Sequence, residues 1–270
     1  MLRATILSLF LSFLILGCYE QKEGCLDVLA SNFQFDADVD CCRKDGECCC
    51  QYPKLIISVK HQYEGENLSA GKVYHTAQGQ PFFIQSIRFL ASGVLLIDNS
   101  EAVSIVDEIE VETSEQNNII VPDDFTIFSS TSFSYTIGDF TRPGTYSALQ
   151  FNVGVDDAIQ AADPAQFDAD HALAAGSSSV RNSTDQLLLY DIAWIPDTAS
   201  MQVVNLQATA DQLVPVVVPL EGSKSAGVSI TIPVVIEYSS WFSDIDLDQD
   251  LEEVQKQKIL QGLVHSFTVL

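Results

Sequence analysis

From Lys54 to Tyr238 the chain is written in short runs of Val, Ile, Leu, Phe, Tyr and Thr, separated by clusters of Gly, Pro, Asn, Asp and Ser. Runs of that length and composition read as strands bounded by turns. They fall at 54–62, 81–91, 93–98, 108–113, 132–138, 144–155, 187–194, 201–210, 213–221 and 227–238. Most intervals between them lack a helical period, which argues against a parallel βαβ sheet and for an all-β, antiparallel sandwich or barrel. Pro215, Pro219 and Pro233 sit inside strand-like runs. Proline cannot donate to a ladder, so those strands are expected at edges or bulges.

Two stretches break this pattern. Residues 156–174, "DDAIQAADPAQFDADHALA", are alanine-rich and acidic, and predict a short helical turn followed by a long loop. Residues 250–267 place Leu251, Val254, Ile259, Leu263 and Phe267 at near-helical spacing, with acids early and Lys256 and Lys258 later. That order suits a C-terminal amphipathic helix and its dipole.

The first residues set the compartment. Arg3 precedes a largely apolar stretch from Leu7 to Leu16 and then Gly17-Cys18. The stretch is too short to cross ~30 Å of hydrocarbon and reads as a signal peptide over 1–17. Gly17-Cys18 resembles the lipobox of bacterial lipoproteins, which makes Cys18 the expected lipid attachment point and anchors the chain to the outer membrane, facing the periplasm or the cell surface. An exported chain can keep disulfides. Setting Cys18 aside leaves Cys25, Cys41, Cys42, Cys48, Cys49 and Cys50, an even number suited to three bridges. Adjacent cysteines pair poorly with each other, so the bridges are expected between the 41–42 pair, the 48–50 triplet and Cys25. Zinc ligands usually stand two to four residues apart within a pair, which touching cysteines do not match. The chain thus divides into the signal segment, a Cys-rich leader over 18–53 and a β domain over 54–270.

Lysine and arginine number 13 against 37 acids, a net charge of −24. A field of that sign repels nucleic acid, so no nucleic-acid partner is expected. Catalytic signatures are also missing: there is no G-x-S-x-G, phosphate-binding glycine loop or H-E-x-x-H, and the expectation is a protein that is not an enzyme. Four histidines, His61, His75, His171 and His265, are the candidate soft-metal ligands, although none stands at H-x-H or i, i+4 spacing to another. "DIDLDQDLEE" (244–253) and "DADVD" (36–40) alternate Asp as calcium loops do, but lack the EF-hand glycine and closing Glu. They read as the wet face of a strand, with Ile245 and Leu247 turned to the core.

Two resemblances add to this. "GCLDVLASNFQFDADVDCC" resembles the cysteine leader behind the lipobox of many Bacteroidota surface lipoproteins, through Gly24, Cys25, Asp27, Ala30, Asn32 and Phe33, with Cys50 and Tyr52 as its close. Most of 55–270 resembles the MbnP-like domain, a family of copper-binding β proteins. The likeness is carried by "HQYEGENL" with "YHTAQGQPFFIQSIRFLASGVLL", by "PGTYSALQFNVGVDDAIQAADP" and by "WFSDIDLDQD" with the terminal helix. Its Trp-rich segment is replaced here by "LLLYDIAWIPDTASMQVVNL", and no Trp-x-His occurs.

The resemblance implies an antiparallel β-sandwich with long loops and a short C-terminal helix, and copper as the bound metal. Its histidine site maps onto His61, His171 and His265, with His75 less favoured. The expected function is a lipid-anchored envelope protein that binds copper for acquisition or storage. The alternative is a metal-free interaction or adhesion lipoprotein that uses its sandwich loops. Histidines far apart in the fold favour the alternative.

Overall fold

The computed structural model describes residues 19–42, 48–113, 117–176, 180–209 and 213–270. The signal segment 1–17 and Cys18 lie outside the described residues. The leader carries two short parallel strands, β1 (Glu23–Gly24) and β2 (Val39–Asp40). Then follow β3 (Lys54–Tyr63), β4 (Glu66–Asn67), β5 (Val73–His75), β6 (Pro81–Asp98), β7 (Glu101–Val103) and the hairpin β8 (Glu108–Glu112) with β9 (Asn118–Pro122). β10 (Thr126–Ser129), β11 (Ser134–Asp139) and β12 (Gly144–Val153) lead to helix α1 (Asp157–Gln160) and a 3₁₀ turn at Pro164–Gln166. The rest comprises β13 (Leu188–Ile195), β14 (Val204–Thr209), β15 (Val214–Lys224), β16 (Ile230–Glu237), α2 (Ser239–Phe242), α3 (Glu252–Leu263) and β17 (Phe267–Val269).

Two sheets face each other. One runs β14-β13-β6-β12-β15, with β5, β7 and β10 also paired to β6; the other runs β11-β3-β16-β17, with β4 on β3. Alternation decides what each strand buries: β3 turns Leu55, Ile57, Val59, His61 and Tyr63 inward, and β16 turns Ile230, Ile232, Val234 and Ile236 inward. They meet Phe82, Phe89, Leu149, Phe151 and Trp194 of the larger sheet in one continuous core. The expected all-β sandwich with a C-terminal helix is the observed fold. Within these two sheets one pairing departs from a purely antiparallel reading, since β3 and β16 run parallel over eight residue pairs. These strands come from opposite ends of the domain, so no local crossover is needed to align them.

The expected strands 81–91 and 93–98 form one strand, β6, whose facing changes midway. Phe89, Ala91 and Val94 lie in the sandwich core, while Leu90 belongs to a second apolar cluster with Val111, Val155, Ile159, Phe167, Leu173 and Leu187. Residues 156–174 therefore form a packed cover and not an open loop. The changeover is held by Asp124, 2% exposed, whose carboxylate accepts the N–H groups of Gly93 (2.9 Å) and Val94 (2.6 Å). The helix expected over 250–267 ends at Leu263, and Phe267 opens β17. Pro215 and Pro219 lie on β15 at the end of its sheet, as expected. Pro233 does not, because β16 lies between β3 and β17; its carbonyl accepts Leu270 N–H, so its missing donor faces only the end of β17.

Burial pushes the Asp124 carboxyl from its ordinary 3.8 up to about 6, against the pull of its two N–H donors. Between those values the folded chain holds the proton more often than the unfolded chain, so this group's contribution to stability falls as pH rises from ~4 to ~6, by up to ~3 kcal/mol. Asp124→Asn removes the titration. Denaturant curves at several pH values are expected to show the native chain losing its advantage over Asp124→Asn across that window, and an advantage that grows with pH would contradict the assignment.

Candidate functional site

The leader is stapled by Cys25–Cys50, Cys41–Cys49 and Cys42–Cys48, with Cα separations of 5.1, 5.7 and 3.9 Å. The bridges run between the pair, the triplet and Cys25, as the adjacency of the cysteines required. Backbone contacts bring the two cysteine runs together: Cys41 N–H donates to Gly24 C=O, Asn32 Nδ2 donates to Cys49 C=O at 2.7 Å, and Gln51 N–H donates to Asn32 Oδ1 at 2.8 Å. Cys25, Ala30 and Cys41 form a small buried cluster, with Cys42, Cys50 and Tyr52 against it. Tyr52 Oη donates to Asp27 at 3.0 Å, and Phe140 N–H donates to Pro53 C=O, so the leader is seated on the β domain. Gly227, at φ +71°, lies where an added Cβ would come within 3.0 Å of Ala30 C=O. In the oxidised chain every described cysteine is in a bridge, so the described residues of the leader offer no thiolate.

The histidines occupy different parts of the fold. His61 projects inward from β3 and is 4% exposed. Its Nε2–H donates to Ser132 C=O at 2.8 Å, which fixes the tautomer and leaves Nδ1 to accept from Tyr238 Oη, also at 2.8 Å. Burial holds its pKa below the usual imidazole value, so the ring is a neutral core group. His171 packs flat on Phe167 in the second cluster, ring centroids 4.9 Å apart. Leu173 N–H donates to its Nδ1 at 3.1 Å, and its Nε2–H donates to Asp123 Oδ1 at 2.9 Å. His75 and His265 are exposed, on β5 and in the turn after α3.

The structure therefore does not bring His61, His171 and His265 together. Among the described residues, no set of three or more His, Cys, Asp or Glu ligand atoms within 4.8 Å of one another includes a histidine. The physical reason is the sandwich itself: the partner of His61, Tyr238, lies in the main core, while Phe167 beneath His171 lies in the second cluster. Both inner rings already use both nitrogens. Copper does not fit this arrangement as a histidine-held ion.

Nor do the alternating aspartates of 244–253 line a strand; of those in 36–40, only Asp40 lies on one, exposed on β2. Residues 244–250 form the loop between α2 and α3, where Asp246 Oδ1 accepts the N–H groups of Asp248 and Gln249 and Gln80 Nε2 donates to Asp246 and Asp248. Lys258 pairs with Asp250 at 2.5 Å. Ile245 is fully buried, as the pattern implied. In the leader, Asp36 pairs with Lys22, and Asp38 accepts from Lys22 N–H and from Tyr19 Oη. Sequence reading missed Tyr238, Ser132 and Asp123, the groups that occupy the imidazoles. Only the inward parity of His61 in an alternating strand carried a signal for them.

Comparison with known proteins gives three findings. The MbnP family matches residues 52–259. No curated protein matches the chain. Among solved structures, MbnP from Methylosinus trichosporium aligns over 73% of this chain and 79% of its own, with 12% identity and a TM-score of 0.38.

Proposed function

Because the chain belongs to the MbnP family, we propose that it is a non-enzymatic binding module with a copper-related role in the cell envelope. It acts through its surface and loops, and not through a histidine copper centre in the oxidised chain. The observation that carries this reading is the engagement of both ring nitrogens in His61 and in His171, in two separate apolar clusters. Function resides in a site and not in a fold, so family membership supports the role without supplying the ligands. Cys18 carries the lipid that holds the module at the outer membrane. A module without its own copper centre suits acquisition, in which a partner carries the ion, better than storage. The net charge of −24 favours cationic partners and excludes nucleic acid.

Copper titration of the disulfide-bonded chain from Tyr19 onward, with Cu(II) and separately with Cu(I), tests this. Any binding tighter than ~10⁻⁶ M is expected to be absent, and His171→Ala with His265→Ala to change nothing. A tighter site lost in that double variant would sink the reading and restore a histidine centre.

A further inference from the structure

One hairpin stands outside both facing sheets. Among the described residues β8 and β9 pair only with each other, and they seat Ile109, Val111, Ile119 and Val121 on the second apolar cluster. By parity the opposite face carries Glu108, Glu110 and Glu112 of β8 and Asn118, Ile120 and Pro122 of β9. All six are exposed, Ile120 at 68%. None of the three glutamates forms an ion pair with a described residue; Glu110 Oε1 accepts Asn118 Nδ2 at 2.6 Å. We propose that the open edge of β9, with the glutamate ladder beside it, is a docking surface for an extended segment of a partner protein that carries lysine or arginine at alternate positions.

The ends of the hairpin fix the phase of its ladder. Thr113 N–H donates to Asn117 C=O and Asp123 N–H donates to Asp107 C=O, so the pairs that exchange hydrogen bonds between these ends are Val111 with Ile119 and Ile109 with Val121. The main-chain groups of Glu110, Glu112, Asn118 and Ile120 therefore point away from the opposite strand. On the β8 side the outer edge is engaged, because Gln166 Oε1 accepts Glu112 N–H at 2.7 Å and Gln166 Nε2 donates to Glu112 C=O at 3.2 Å. On the β9 side the N–H and C=O groups of Asn118 and Ile120 and the C=O of Pro122 have no partner among the described residues. No charged side chain lies on Asn118–Pro122, so that edge lacks the usual guard against an added strand.

Charge decides the occupant. In an antiparallel addition the residues that bond to Asn118 and Ile120 put their side chains on the glutamate face, ~10 Å from the β8 axis and ~6.8 Å from one another. The alternate spacing of Glu108, Glu110 and Glu112 has the same repeat. A lysine or arginine opposite Ile120 lays its apolar stem across that exposed side chain and brings its cation to Glu110, and basic residues two positions away meet the flanking glutamates. Main-chain bonds supply affinity and the glutamates supply specificity. A second copy of this chain would bring a further net charge of −24 and the same three glutamates to the edge. This deepens the reading of a module that works through its surface and rests on it, but involves neither copper nor a histidine, so each can fail alone.

The test uses the disulfide-bonded chain from Tyr19 onward, without copper, and an alternating Lys-Thr peptide of about ten residues, the upper end of ordinary strand length. At low ionic strength the peptide is expected to bind with a Kd below ~10⁻³ M and to slow hydrogen exchange at the Asn118 and Ile120 amides, which exchange fast in the free chain. The same peptide N-methylated at its lysine amides keeps its charge, cannot donate to the edge, and should bind at least ~10-fold more weakly. Replacing Glu108, Glu110 and Glu112 together by Gln should weaken the Lys-Thr peptide ~10-fold, and the same change at the exposed Glu20, Glu64 and Glu221 should leave it within ~2-fold. Absence of binding, equal binding of a Glu-Thr peptide, or equal losses in the two triple variants would overturn the proposal. So would Asn118 and Ile120 amides already protected in a concentration-dependent dimer of the free chain, which would make a second copy the occupant.

Discussion

Trp241→Ala is expected to lower the stability of the disulfide-bonded chain by ~3–5 kcal/mol, measured as a shift of the denaturant midpoint at constant slope. The indole is 1% exposed and stands edge-on to Tyr238, centroids 5.2 Å apart, with Phe89 at 5.8 Å. Removing it leaves a cavity beside the ring that donates to His61. Trp241 Nε1 has no acceptor among the described residues, so the loss measures packing and not a hydrogen bond. Trp241→Phe separates the two: it keeps most of the apolar volume and discards an unpaired donor, and is expected to cost less than ~1.5 kcal/mol. Equal losses in the two variants would contradict a packing role.

The second large effect comes from a glycine in a helix. Gly→Ala inside an exposed helix normally stabilises by ~1 kcal/mol. At Gly262 the sign reverses, because an added Cβ would stand 1.9 Å from Ser240 C=O and 3.0 Å from Trp241 Cα. Both obstacles are backbone, so no side-chain rotation relieves the overlap and α3 must move off α2. That movement uncovers Ile259 and Leu263, each fully buried. Overpacking of this kind costs ~3 kcal/mol, and after the propensity gain the net loss is expected at ~2 kcal/mol. A stabilised Gly262→Ala protein would show that α3 is not seated on α2.

Much of this fold was legible because strands announce themselves through parity. The alternation in "KLIISVKHQY" and "ITIPVVIE" places the same residues inward that the structure buries. Parity says nothing about who pairs with whom, so the parallel β3–β16 contact and the internal position of Pro233 were not readable. Nor could it show that residues 156–174 cover the sheet, since their apolar positions Ile159, Phe167 and Leu173 follow no regular period. The disulfide pattern was readable as a class because touching cysteines exclude each other, and the connectivity needed the hydrogen bonds of Asn32. The histidines were the least legible. A ligand and a satisfied core imidazole have the same letter in the sequence, and only Tyr238, 177 residues beyond His61, tells them apart.

The inner histidines serve the fold and not a copper ion. Long-range ¹H–¹⁵N spectra of the histidine rings, recorded on the unreduced chain with and without one equivalent of Cu(II), test it directly. His61 and His171 are expected to show the fixed Nε2–H tautomer in both spectra, with their signals retained when copper is present. Loss of both ring signals together on adding copper would place the ion between them and contradict a purely structural role for the two rings.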